Sequence, residues 1–121
     1  MPVRVINIRS GHHRDDSPPP FIYVGRGMPA WGLPHHPLAN PYRVAHDASE
    51  AKRREVLAKY EAWLASHTNR DALLRDLADQ VAATGLPLAC WCCDYDGVSE
   101  PSPLCHAVVL ARQVGRILEE R

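Results

Sequence analysis

Apolar positions recur along this chain with two different spacings, and the changes of spacing mark its elements. Val3, Val5, Ile6 and Ile8 form a short β-branched run, which predicts a strand. Phe21-Ile22-Tyr23-Val24 predicts a second. Between them, Ser10 to Pro20 holds Gly11, the pair His12-His13, two aspartates and three prolines, a composition that excludes regular structure. Met28 to Val44 is a proline- and glycine-rich connection. Asp47-Ala48-Ser49-Glu50 then has capping-box spacing and predicts a helix after it. Val56, Leu57, Tyr60, Trp63 and Leu64 make the apolar face of that helix. Thr68-Asn69-Arg70-Asp71 opens a second helix with Leu73, Leu74, Leu77 and Val81 inward, closed by Gly85 and Pro87. Leu88-Ala89-Cys90-Trp91-Cys92 is nearly free of polar residues, as expected of a central strand buried on both faces. Ser102-Pro103 predicts the start of a last helix, with Leu104, Val108, Ala111, Gly115 and Leu118 on one face and Val109, Val114 and Ile117 widening it.

This order predicts an α/β protein: a small three-layer Rossmann-like domain with a short, mostly parallel sheet flanked by helices. At 121 residues and 45% hydrophobic content, the expectation is one domain over residues 1–121. Lys and Arg number 14, balanced by 14 Asp and Glu, so there is no global electrostatic drive toward nucleic acid, although a local basic patch is compatible with this balance. Only Lys52 and Lys59 are lysines; the remaining basic residues are arginines, suited to bidentate phosphate or carboxylate contacts. The chain shows neither a leader pattern at its start nor an apolar run near the ~20 residues that span a bilayer. The expectation is a cytoplasmic protein with no membrane partner and with reduced cysteines.

Candidate chemistry falls at the predicted strand ends, where parallel sheets present ligand-binding groups. Asn7 and Arg9 end the first strand. Gly25-Arg26-Gly27 ends the second, two glycines permitting close backbone approach around a guanidinium. Asn40-Pro41-Tyr42 is a turn holding a polar side chain and a ring, either as part of a site or as a packed connection. All four cysteines lie in the last third of the chain: Cys90, Cys92 and Cys93, then Cys105 beside His106. Three readings stay open for Cys90 and Cys92. They are small buried residues, or zinc ligands together with Cys105 and His106, or part of a site in which a helix N-terminus favours a thiolate or His106 handles a proton. In a strand, Cys90 and Cys92 point to the same side.

Taken together, Val5-Ile6-Asn7-Ile8-Arg9, Tyr23-Val24-Gly25-Arg26-Gly27, Leu38-Ala39-Asn40-Pro41-Tyr42, Arg54-Glu55-Val56-Leu57 with Tyr60 and Trp63-Leu64, and Leu88-Ala89-Cys90-Trp91-Cys92 with Cys105-His106-Ala107 resemble the family known as domain of unknown function DUF4326, over nearly the whole chain. Two departures stand out. The loop from Cys93 to Leu104 is longer than the family pattern, and Val108 stands where that pattern carries an aspartate.

The resemblance implies a fold similar to nucleotide-processing N-glycosidases and nucleoside deoxyribosyltransferases, which is an analogy of fold alone. It suggests a nucleotide or nucleotide-like substrate whose base–sugar bond is cleaved without a required cofactor. Arg9 and Arg26 would hold phosphate, with the backbone of Gly25 and Gly27 close by. Asn7 and Asn40 would orient the sugar, and Tyr23, Tyr42 or Trp91 would stack on the base. His106 would handle a proton, and Glu50, Asp94 or Asp96 would supply a carboxylate. The rival expectation is a non-enzymatic module in which Cys90, Cys92, Cys105 and His106 bind zinc and the surface meets nucleic acid or protein.

Overall fold

The computed structural model describes residues 3–8, 21–28, 32–42, 49–90 and 105–121. Their order is β1 (Val5–Asn7), β2 (Ile22–Tyr23), α1 (Glu50–Ala65), α2 (Arg70–Thr84), β3 (Leu88–Cys90) and α3 (His106–Glu119). The strands form one sheet in the order β1-β3-β2, with both pairings parallel. Of the apolar run at residues 88–92, Leu88–Cys90 forms the middle strand and is buried along its length, as its lack of polarity predicts; Trp91 and Cys92 lie outside the described residues. Register places Val5, Leu88 and Ile22 in one row and Ile6, Ala89 and Tyr23 in the next. Hydrogen bonds from Ile8 N to the Cys90 carbonyl (3.1 Å) and from Val24 N to the Ala89 carbonyl (2.9 Å) carry the pairing to the carboxyl edge.

Strand alternation divides the interior into two cores. Val24, Leu88 and Cys90 face the helices, with Val5 and Ile22 packed against the same cluster. Ile8, Phe21, Tyr23 and Ala89 face the other way, with Leu33. The helices contribute to the first cluster: Tyr60 and Leu64 from α1, Leu74, Leu77, Ala78 and Val81 from α2, and Ala107, Val109, Leu110, Ala111 and Val114 from α3. The fold is therefore mixed α/β, with three helices packed on one face of a small parallel sheet among the described residues. Leu38, Leu77, Leu88 and Leu110 have no exposed surface, and burying each such side chain contributes ~1.5–3 kcal/mol.

Element ends refine the sequence expectations. The α1 cap is Ser49, whose hydroxyl accepts from Lys52 N at 3.2 Å; Asp47 lies outside the described residues. The second helix does stop at Gly85, which takes the left-handed conformation at φ 69° and donates to the Val81 carbonyl. The last helix begins at His106 with Cys105 as its cap; the expected Ser102-Pro103 start lies outside the described residues. Its buried stripe is centred on Ala107, Leu110, Ala111 and Val114, while Val108, Gly115 and Leu118 are only half-buried. No helix among the described residues is long and apolar enough to cross a membrane.

Candidate functional site

The carboxyl edge of the sheet meets the first turn of α3. Burial of Ala107, Leu110 and Val114 fixes that helix against the sheet, and this carries Cys105 and His106 to the ends of β3 and β2. Cys105 caps its own helix, its sulfur accepting from Ala107 N at 3.4 Å. The same sulfur lies 2.8 Å from Cys90 Sγ, and both residues are buried. Cys90 Sγ also reaches the Ile6 carbonyl at 3.9 Å.

One residue on, His106 is half-buried and its Nε2 lies 3.0 Å from the Val24 carbonyl. A carbonyl oxygen can only accept, so Nε2 carries the proton and, in the neutral ring, Nδ1 carries the lone pair. The ring also meets Tyr60 edge-on, with centroids 5.4 Å apart.

Tyr60 joins this edge to the loop after β2. It is fully buried, and its hydroxyl donates to the Leu38 carbonyl at 2.7 Å. Burial is the main cause that raises its pKa above the ordinary phenol value, followed by the nearby Cys105. His36 lies in the same loop. Its backbone N donates to the Gly25 carbonyl at 3.1 Å, and its Nδ1 accepts from Leu38 N at 3.0 Å. Burial lowers its pKa first, His106 and His35 lower it further, and Asp76 acts in the opposite direction.

The exit of β2 is tightly folded upon itself. Tyr23 is buried, and its hydroxyl donates to the Arg26 carbonyl at 2.5 Å. It passes so close beneath Gly25 that a Cβ there would lie 2.6 Å from the tyrosine oxygen, which explains the glycine. The Arg26 guanidinium donates through Nε to the Asn40 carbonyl at 2.9 Å and through one terminal nitrogen to the Tyr42 carbonyl. Asn40 Oδ1 accepts from Tyr42 N at 2.9 Å, closing the Asn-Pro-Tyr turn. Gly27 N donates to His35 Nδ1 at 3.2 Å. Arg26 is thus a clamp on the turn, and Tyr23 is part of the packing. Tyr42 is the one large hydrophobic side chain that is exposed among the described residues, at 36%.

Sequence reasoning pointed to Tyr23, Gly25, Arg26, Gly27, Asn40, Tyr42, Cys90, Cys105 and His106, and these gather into connected parts of one edge. Glu50 is different: it is exposed on the first turn of α1 and pairs with Arg54 at 2.8 Å, apart from the bonds that join His106, Val24 and the two sulfurs. The Asn7 side chain, Arg9, Trp91, Cys92, Asp94 and Asp96 lie outside the described residues, as does His12-His13. Sequence reasoning missed His36 and the linking role of Tyr60. The signal for the first is a second adjacent histidine pair, His35-His36, held between Pro34 and Pro37.

A metal centre needs more than the two sulfurs. Among the described residues no group of three or more His, Cys, Asp or Glu side chains is arranged to hold a metal ion.

Residues 7–116 match the family described as Domain of unknown function (DUF4326). The chain belongs to that family. No curated protein and no solved structure matches it.

Proposed function

We propose that this DUF4326 member is an enzyme that binds a nucleotide or nucleotide-like small molecule at the carboxyl edge of its parallel sheet and cleaves the N-glycosidic bond. The observation that carries this reading is His106, a half-buried imidazole whose Nε2 lies 3.0 Å from the Val24 carbonyl at the strand ends. Strand ends of parallel sheets are the usual place for ligands in α/β proteins, and a positioned neutral histidine is a general base suited to neutral pH. In this reading water attacks the anomeric carbon, Nδ1 of His106 takes the water proton, and the base departs with the bonding pair of the broken C–N bond. The exposed ring of Tyr42 stacks on the base. Asn40 and Asn7 orient the sugar, and Arg9 holds phosphate. Arg26 contributes by holding the Asn40–Tyr42 turn in place. A carboxylate that stabilises the oxocarbenium-like transition state is assigned to Asp94, because Glu50 is engaged with Arg54 at the surface. The same reading takes the full domain as three-layered and Rossmann-like, works in the cytoplasm and requires no cofactor.

A second reading rests on the contact between Cys90 and Cys105. In it these two, with Cys92 and His106, bind zinc in a module that meets nucleic acid or protein.

The test is base release from a panel of ribo- and deoxyribonucleotides, followed by chromatography. Release by the wild-type protein that is lost in His106→Ala supports the enzyme. No release from any nucleotide, with one zinc per purified chain, favours the binding module.

A further inference from the structure

The two sulfurs at the strand–helix junction have no role in the glycosidase reading, and their geometry carries chemistry of its own. We propose that Cys90 and Cys105 are an oxidisable dithiol, a modification site at which a hydroperoxide drives a reversible disulfide between the end of β3 and the cap of α3. The sulfurs stand 2.8 Å apart. A disulfide bond measures about 2.05 Å, so closure requires movement of less than ~1 Å. Cys90 ends the central strand and Cys105 caps a helix whose first turns are buried. Rigid elements therefore hold the pair, and chance encounter of a loop is not needed. Both cysteines are buried, Cys90 at 1% and Cys105 at 9% exposure, which shields the pair from bulky thiols and disulfides and restricts the oxidant to a small molecule. The Ala107 N–H directed at Cys105 Sγ holds that sulfur in place beside Cys90, and Cys105 is taken as the attacking sulfur.

The reaction balances in two steps. Cys105 thiolate attacks one peroxide oxygen, the O–O bond breaks, and hydroxide leaves and is protonated to water as the sulfenic acid forms. Cys90 sulfur then attacks the sulfenic sulfur, the S–S bond forms, and the hydroxyl departs as water with the Cys90 proton. Two thiols are oxidised by two electrons and one hydroperoxide is reduced. Intracellular disulfides of this kind are transient and redox-sensing, in keeping with a chain whose cysteines are expected to be reduced at rest. The product would tie the start of α3, and with it His106, to β3.

A Cys92→Ser/Cys93→Ser variant retains Cys90 and Cys105 as its only cysteines. It would be treated with hydrogen peroxide while folded, then unfolded in iodoacetamide and weighed intact. The expected result is loss of two hydrogens with no alkylation, and two alkylated cysteines after dithiothreitol. Two alkylated cysteines without reductant, or only sulfinic acid, would overturn the proposal. Should that variant not fold, wild-type protein treated in the same way and cut after Trp91 and Tyr95 identifies the linked pair directly. A Cys90–Cys105 peptide supports the proposal; any other linkage, or none, overturns it. One zinc per chain that protects both thiols until it is chelated also overturns it.

Discussion

Replacing Tyr60 with phenylalanine removes one oxygen from the centre of the molecule and leaves the ring in place. The ring keeps its stacking on Trp63, with centroids 5.7 Å apart, and its edge contact with His106. What is lost is the hydrogen bond to the Leu38 carbonyl. Tyr60 and Leu38 are both 0% exposed, so water has no route to replace the donor. A buried acceptor left without a donor costs about 1–3 kcal/mol. For a chain of this size ~4 °C in Tm per kcal/mol is appropriate, which gives a fall of about 4–12 °C. A second consequence follows from ionisation. The folded protein raises the Tyr60 pKa above its ordinary value of 10.0. The unfolded chain therefore ionises first, and the stability that Tyr60 contributes is fully present below pH 10 and is lost as pH rises beyond it. Thermal and urea unfolding followed by circular dichroism, near neutrality and again above pH 10, measure both effects. The reasoning fails if Tyr60→Phe lies within ~0.5 kcal/mol of wild type, or if the two proteins lose stability equally in alkali.

Two further predictions come from other parts of the fold. Gly115 lies within α3, and a Cβ built there meets nothing within 4 Å, so Gly115→Ala is expected to stabilise the protein by about 0.5–1 kcal/mol in the same urea titration. For His36, the folded state lowers the pKa from 6.5; stability is therefore full above pH 6.5 and declines as pH falls from there toward the lowered value. Protonation would also set an N–H against the Leu38 N–H that His36 Nδ1 now accepts. The variant His36→Asn keeps an acceptor in a similar place and should flatten that decline when the two unfolding curves are compared across this range.

Much of the architecture was legible because it depends on local pattern. The apolar run at residues 88–92 announced a strand buried on both faces, and its described part, Leu88–Cys90, is the middle of a parallel sheet. Gly85 announced the end of α2 through its left-handed conformation. Helix starts were harder. Asp47 and Ser49 both suit the cap of α1, and for α3 the sequence offered Ser102 but not Cys105, the cap observed; tertiary packing decides which residue begins the hydrogen-bonded turn. The expectation of helices flanking the sheet is met on one face among the described residues, because period-two strands show that both faces are apolar without showing what covers them. At the site, sequence could place Arg26 at a strand end, but its guanidinium turns to the carbonyls of Asn40 and Tyr42, partners 14 and 16 residues away that only the folded turn supplies. The meeting of Cys90 with Cys105 is of the same kind. The sequence grouped Cys90 with Cys92, Cys105 and His106 as one of three open readings; docking of α3 supplies the contact to Cys105, and Cys92 lies outside the described residues.

The most direct test of a ligand site at the carboxyl edge is an NMR titration of isotope-labelled protein with adenosine monophosphate, read at assigned backbone amides. The account predicts saturable shifts concentrated at Val24, Gly25, Arg26, Gly27, Tyr42 and His106. Shifts confined to the exposed faces of α1 and α2, or none for any nucleotide in a panel of bases and sugars, would contradict it.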